Sequence, residues 1–148
     1  MNIKPRLNAD GITIHTSEEF EGMRRSGALA AKILDMITDF IVPGVTTEAL
    51  DTLIHDYMID AGATPATLGY RGYTKSSCIS LNHVVCHGIP SDKKLKDGDI
   101  LNIDVTCILD GWFGDTSRMY ICGKLSRKAE RLIDITHTAL MIGIDQVK

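Results

Sequence analysis

The sequence predicts an α/β (α+β) domain, and three patterns carry that prediction. Apolar residues recur at steps of three and four over 23–41 and again over 50–61, the period of a buried helix face. Over 101–109 the period drops to two: Leu101, Ile103, Val105, Cys107 and Leu109 alternate with Asn102, Asp104, Thr106 and Ile108, as in a strand with one apolar face. Asp110-Gly111 then supplies a hairpin turn signal. A chain of 148 residues is one domain that buries roughly 68–70% of its unfolded surface.

The elements follow in order. Residues 1–11 read as a loose lead-in. Thr16 and Glu19 have capping-box spacing, which starts a first helix. Met23, Gly27, Ala30, Leu34, Ile37 and Ile41 form its core face, and Pro43-Gly44 ends it. Thr47 is placed to cap a second helix with Leu50, Leu53, Ile54, Tyr57 and Ala61 inward, and Gly62 suits its exit. Residues 63–76 read as a loop. Strand-like runs follow at Ser77–Leu81 and Val84–His87, then a charged loop from Ser91 to Gly98. Trp112 to Cys122 is the returning strand. A third helix, with Ala129, Leu132, Ile133, Thr136, Ala139, Leu140 and Gly143 spaced helically, is expected from about Lys128 to the end at Lys148, since no stop signal follows Val147.

Composition excludes several classes. Apolar residues are 44% and charged residues 24%, an ordinary globular balance that excludes intrinsic disorder. A net charge of −3, from 16 basic and 19 acidic side chains, argues against a specific nucleic-acid partner, which usually meets a basic excess. Aromatics at 5% leave few platforms for base stacking. The sequence holds no apolar window of the roughly 18 residues that a membrane span requires. Cys78, Cys86, Cys107 and Cys122 form no Cys-x-x-Cys pair, and the chain start has no apolar targeting core, so a cytoplasmic protein with free thiols is expected.

The chemistry concentrates on the predicted hairpin. A two-residue loop at Asp110-Gly111 sets Leu109 opposite Trp112, Thr106 opposite Asp115 and Asp104 opposite Ser117. Asp104 and Asp115 then project from one face as diagonal neighbours, backbones roughly 7–8 Å apart. Two such carboxylates repel unless a positive charge lies between them, and a divalent cation answers that need. Taken alone, the pair could equally cap turns or face water. His87, beside Gly88 and before Pro90, sits where an imidazole can donate to a substrate, although a lone histidine is more often structural.

Taken together, several segments resemble bacterial type I methionine aminopeptidase: Asn82-His83-Val84-Val85-Cys86-His87-Gly88-Ile89-Pro90, Asp97-Gly98-Asp99, Asn102-Ile103-Asp104-Val105-Thr106, Asp110-Gly111, Gly114-Asp115-Thr116-Ser117 and, upstream, Leu68-Gly69-Tyr70-Arg71-Gly72-Tyr73 with Lys75-Ser76 and Cys78-Ile79-Ser80. The resemblance covers residues 17–148. It implies the pita-bread fold, here its first half and the first helix of the second. It implies removal of the initiator methionine from nascent proteins with a small second residue, by a metal-bridging hydroxide. It also implies two divalent ions (Co, Mn, Fe or Zn), a monovalent cation (Na or K) and contact with the ribosome. By motif, Asp104 would chelate one metal, Asp115 would bridge both, and His87 would contact the scissile peptide. Tyr70, Tyr73 and Cys78 would line the methionine pocket with Thr67 at its rim, and Asn82 and Val84 would hold the monovalent ion.

Departures from that pattern shape further expectations. Thr67 replaces a common Cys and Thr74 a common Pro. The remaining ligands, one His and two Glu, and a second substrate-contacting His belong to the half that residues 1–148 do not contain. Glu130, His137 and Asp145 match none of them. The span is therefore expected to be a truncated catalytic domain, inactive alone, and poorly soluble or self-associating through its exposed half-sheet. The alternatives are a non-catalytic half-fold acting as a binding or self-associating module, and two copies pairing into a noncanonical site. A proline dipeptidase shares the fold but not the Tyr70, Tyr73 and Cys78 pocket.

Overall fold

The computed structural model describes residues 6–147. Residues 1–5 of the expected lead-in, and Lys148, lie outside them. Over 6–13 the lead-in closes into a small turn: Leu7 bridges Thr13, and the Asn8 side chain accepts from the backbone N–H groups of Asp10 and Ile12.

Helix α1 runs Ser17–Met36 behind the expected capping box. The Thr16 hydroxyl accepts from the Glu19 N–H, and the Glu19 carboxylate accepts from that of Thr16 at 2.7 Å. Its buried stripe is Gly22, Ser26, Leu29, Ala30, Ile33 and Leu34, continued by Ile37 and Ile41. Met23 and Gly27, expected inward, are exposed. Hydropathy misses this rotation because the first turns of the stripe are small residues. Ser26 is fully buried and its hydroxyl donates to the Trp112 carbonyl at 2.8 Å.

Helix α2 runs Thr47–Asp60, with Thr46 as the cap that accepts from the Ala49 N–H. The expected cap, Thr47, is one residue further on. Its hydroxyl is already committed to Ser91, accepting from the N–H at 2.9 Å and donating to the carbonyl at 3.1 Å. Leu50 and Ile54 are buried as expected, Leu53 and Tyr57 half-buried and Ala61 exposed; Asp51 and Met58 join the buried side. Gly62 takes the left-handed exit conformation, φ 74°.

Four strands form one antiparallel sheet: β1 Thr64–Pro65, β2 Ser77–Leu81, β3 Ile100–Leu109 and β4 Trp112–Ile121. The 63–76 segment thus contains a two-residue strand and a short helical turn at Tyr70–Gly72. β4 pairs with the whole length of β3. β1 and β2 pair with β3 at 107–108 and 101–105, so they share its other edge end to end. Both Asp110 and Gly111 have positive φ, 52° and 82°, as a type I′ hairpin demands. The expected pairs Leu109–Trp112, Thr106–Asp115 and Asp104–Ser117 are the observed ones.

The second strand-like run, Val84–His87, is not a strand. Asn82 and His87 take positive φ, 51° and 56°, and turn the segment back on itself. The Val84 N–H donates to the Leu81 carbonyl and the Ile79 N–H to that of Gly88. An apolar run is ambiguous when left-handed Asn and His sit at its ends.

One face of β3, Leu101, Ile103, Val105 and Cys107, is fully buried against Ile33, Leu34, Leu50, Ile54 and Met58. Alternation places Asn102, Asp104 and Thr106 on the other face, with Cys78 and Ser80 of β2 and Asp115 and Ser117 of β4. Helix α3, Arg127–Ile144, is capped by the Ser126 hydroxyl and buries no residue. It ends at Ile144, short of the expected Lys148, with Asp145 as its cap. No described helix is long and apolar enough to cross a membrane.

Gly114 is where α1 crosses β4. A Cβ there would overlap the backbone of Ser26 and Gly27, whereas a Cβ on Gly27 meets nothing within 4 Å. Gly114→Ala is therefore expected to destabilise by about 1–3 kcal/mol, the usual cost of overpacking. Gly27→Ala, in an exposed helix interior, is expected to stabilise by about 0.5–1 kcal/mol. Urea midpoints of the two variants check the contrast, and equal shifts would contradict the crossing geometry.

Candidate metal and substrate site

The hairpin builds the acidic half of the site. Asp115 lies opposite Thr106, whose hydroxyl donates to Asp115 Oδ1 at 2.8 Å. Asp104 lies between Ser117 of β4 and Cys78 of β2. It is half-buried and Asp115 is exposed. Burial, and then the neighbouring Asp115 charge, raise the Asp104 pKa from its ordinary value, while His87 pulls it the other way. None of the ion pairs among the described residues involves Asp104 or Asp115.

Two hard carboxylates on one face without a cationic partner fit a divalent ion of the oxygen-preferring kind. They fit it only in part. Among the described residues no cluster of three or more His, Cys, Asp or Glu side chains converges on one point.

Beside the acidic half lies a cavity of about 540 Å³ lined by Thr67, Tyr70, Tyr73, Cys78 and His87, with Arg71, Gly72 and Ile89. All five cavity residues expected from the sequence meet there. Cys78 joins the two halves, since it lines the cavity and sits opposite Asp104 in the sheet.

Hydrogen bonds shape the walls. The Thr67 hydroxyl donates to the Lys75 carbonyl at 2.9 Å, and the Tyr73 hydroxyl donates to the Ser77 carbonyl at 2.8 Å. Burial first, and then contact with Cys78, pushes the Tyr73 phenol well above its usual range. Burial likewise raises the Cys78 thiol. Both stay neutral at physiological pH. Cys78 is therefore an apolar wall and not a thiolate nucleophile.

His87 reaches the cavity from the left-handed turn after β2. The Gly88 N–H donates to Ser80 Oγ at 3.0 Å and the Gly88 carbonyl accepts from Ile79 at 2.8 Å. A Cβ on Gly88 would overlap the Ile79 carbonyl, so a glycine after His87 is a steric requirement.

Asn82 and Val84 stand apart from this cavity. The Asn82 amide donates to Asp99 Oδ1 at 2.9 Å and accepts from the Ile100 N–H at 3.1 Å, tying the end of β2 to the start of β3. The structure also adds residues that the sequence reading missed. Arg71 stands over the Tyr70 ring, 5.5 Å from its centre. Asp51 is a buried carboxylate among the apolar residues of α2. An acidic residue between Leu50 and Ile54 on a buried stripe was the available signal for it.

Comparison with known proteins places this arrangement. The family model described as "Metallopeptidase family M24" matches residues 21–148. The chain belongs to metallopeptidase family M24. Over 137 residues it is 56% identical to a methionine aminopeptidase of Rickettsia prowazekii, covering 93% of this chain and 53% of that relative. The corresponding protein of Escherichia coli K12 is 53% identical over 139 residues, with the same coverage. The crystal structure of the Rickettsia prowazekii enzyme superposes with a TM-score of 0.87 at 57% identity, over 88% of this chain and 52% of that one. An Xaa-Pro dipeptidase from Bacillus anthracis, 22% identical with a TM-score of 0.75 over 91% of this chain and 37% of that one, shares the fold. The M24 chain thus has the pita-bread fold and spans about half the length of the curated relatives it matches.

The electrostatics yield a pH test. The folded-state pKa of Asp104 is raised, so its charge opposes folding at neutral pH and the penalty vanishes below about pH 4, where the unfolded carboxyl is also protonated. Asp104→Asn is expected to raise the thermal midpoint of the metal-free M24 chain at pH 7. Solvent screening holds the gain below ~1 kcal/mol, no more than about 4 °C. The difference should disappear near pH 3.5; scanning calorimetry at the two pH values checks it.

Proposed function

We propose that this M24 chain is the methionine-binding half of a cytoplasmic methionine aminopeptidase, which removes the N-terminal methionine from nascent polypeptides whose second residue is small. The observation that carries the reading is the single cavity formed by Thr67, Tyr70, Tyr73, Cys78 and His87 beside Asp104. The high identity to methionine aminopeptidases supports the same reading.

In this reading the tyrosine rings, Cys78 and Ile89 receive the methionine side chain, and their neutral, largely apolar surfaces exclude water. His87 donates to the scissile peptide. The free amino terminus lies toward Asp104 and Asp115, which would hold divalent ions, two in number, of the Mn, Co, Fe or Zn kind. Such ions, when bound, lower the pKa of water and polarise a carbonyl. Asn82 and Val84 would support a monovalent cation at the end of β2. Discrimination by one methylene is worth only about 1–3 kcal/mol, so rejection of a large second residue requires a steric wall.

The test joins residues 1–148 to the second half of the Escherichia coli relative. It follows methionine release from Met-Ala-Ser after chelation and again with added Mn or Co. Release is expected only with metal and is lost in Asp104→Ala. His87→Ala is expected to slow it by about 10²–10⁴-fold, as removal of a positioned proton donor does. Release that survives chelation or Asp104→Ala would contradict the reading.

A second reading, a self-associating half-fold, draws support from α3, where Leu132, Ile135, Leu140, Ile142 and Ile144 are exposed. Its expected outcome is concentration-dependent sedimentation that Ile142→Glu abolishes. A monomer at all concentrations would sink it.

A further inference from the structure

Three side chains of α2, Glu48, Asp51 and His55, stand at i, i+3 and i+7 on one helix face, and all three grip the segment 75–77. Glu48 pairs with the Lys75 ammonium. His55 Nδ1 shares a hydrogen bond of 2.8 Å with Ser76 Oγ. Asp51, only 6% exposed, takes the centre. Its Oδ1 accepts from the Ser76 N–H at 3.1 Å, the Ser77 N–H at 2.8 Å and the Ser77 hydroxyl at 2.6 Å, and its Oδ2 accepts from the Ser76 N–H at 3.3 Å.

This segment joins the cavity loop to β2. β3 lies along one edge of β2, and the N–H groups of Ser77 and Ile79 are among those on the other edge. Asp51 takes the first and the Gly88 carbonyl the second. The outer edge of β2 is thus fixed at its first residue by Asp51 and at its middle by the residue after His87. The Tyr73 hydroxyl in turn donates to the Ser77 carbonyl. A continuous relay runs from Asp51 through the Ser77 backbone to a cavity wall.

We propose that Asp51 is a positioning residue for the methionine cavity, holding Tyr73 and Cys78 in place through Ser77 without touching substrate. The inference rests on the methionine-binding reading of that cavity. A buried carboxylate suits the task because charge-assisted hydrogen bonds are stronger than neutral ones. An amide at the same position would remove the charge that strengthens these bonds and turn a donor toward the Ser76 N–H in place of Oδ2, weakening the arrangement without changing its shape.

The test uses the 148-residue chain with ¹³C-labelled tyrosines and compares Met-Ala-Ser with Gly-Ala-Ser by NMR. In the wild type, Met-Ala-Ser alone should shift the Tyr73 ring. Asp51→Asn should displace the Tyr73 resonance, leave Tyr120 in place and weaken Met-Ala-Ser binding by about tenfold, as loss of a charged hydrogen bond does. Tyr73→Phe removes only the far end of the relay and should weaken binding as well. Because the two residues act in series, the double variant should bind no more weakly than Asp51→Asn alone.

Unchanged binding in Asp51→Asn, or additive losses in the double variant, would overturn the inference and leave the cavity reading standing. Should Asp51→Asn fail to fold, Ser77→Ala, which removes the hydroxyl donor to Asp51 and alters no cavity-lining side chain, takes its place: an unmoved Tyr73 resonance with unchanged binding overturns the inference, and a displaced resonance with weakened binding supports it. A wild type that does not distinguish the two peptides would overturn the cavity reading, and the inference with it.

Discussion

The register of the β3–β4 hairpin is the constraint on which the rest depends. Side chains on a strand alternate with period two, so a slip of one residue would exchange the two faces of β3. Three features prevent it. The Asp110-Gly111 turn demands positive φ at both central residues and has it. Leu101, Ile103, Val105 and Cys107 are fully buried on the helix side. Gly114 admits the backbone of α1 where no side chain fits. With the apolar face committed, Asp104 and Asp115 have one place to go, together, on the opposite face.

That placement is unfavourable for the chain by itself. Asp104 sits in partial burial beside a second carboxylate, and its proton affinity rises accordingly. A site whose charges conflict without a ligand, where no buried side-chain nitrogen or oxygen among the described residues lacks a partner, is where a cation is expected to bind. The neutral groups nearby serve the other half of the task. Cys78 and Tyr73, both held protonated, give the cavity apolar walls within reach of that charge.

Much of this was legible in the sequence because it follows from periodicity and turn chemistry. The capping box at Thr16 and Glu19, the β3 alternation and the hairpin register are local rules, and each is observed. The motifs named Thr67, Tyr70, Tyr73, Cys78 and His87 as a group, and one cavity brings them together. What was hidden depends on tertiary partners. The α1 stripe begins with Gly22 and Ser26, which carry no hydropathy signal. Thr46 caps α2 and the Thr47 hydroxyl is bonded to Ser91. Val84–His87 reads as a strand until Asn82 and His87 turn left-handed. Asp51 matters only because Ser76 and Ser77 arrive beside it from 25 and 26 residues away.

The central claim is that Asp104 of β3 and Asp115 of β4, on the free face of the hairpin, form the cation site. Paramagnetic broadening by Mn²⁺ tests it directly, since the ion erases backbone resonances near where it sits. In the ¹⁵N-labelled chain at substoichiometric Mn²⁺, the account predicts loss centred on residues 104, 106, 115 and 117, spreading to Cys78 and His87. It also predicts that Asp104→Asn combined with Asp115→Asn restores those signals. Broadening centred elsewhere, or spread evenly over the surface carboxylates and unchanged in the double variant, would contradict it.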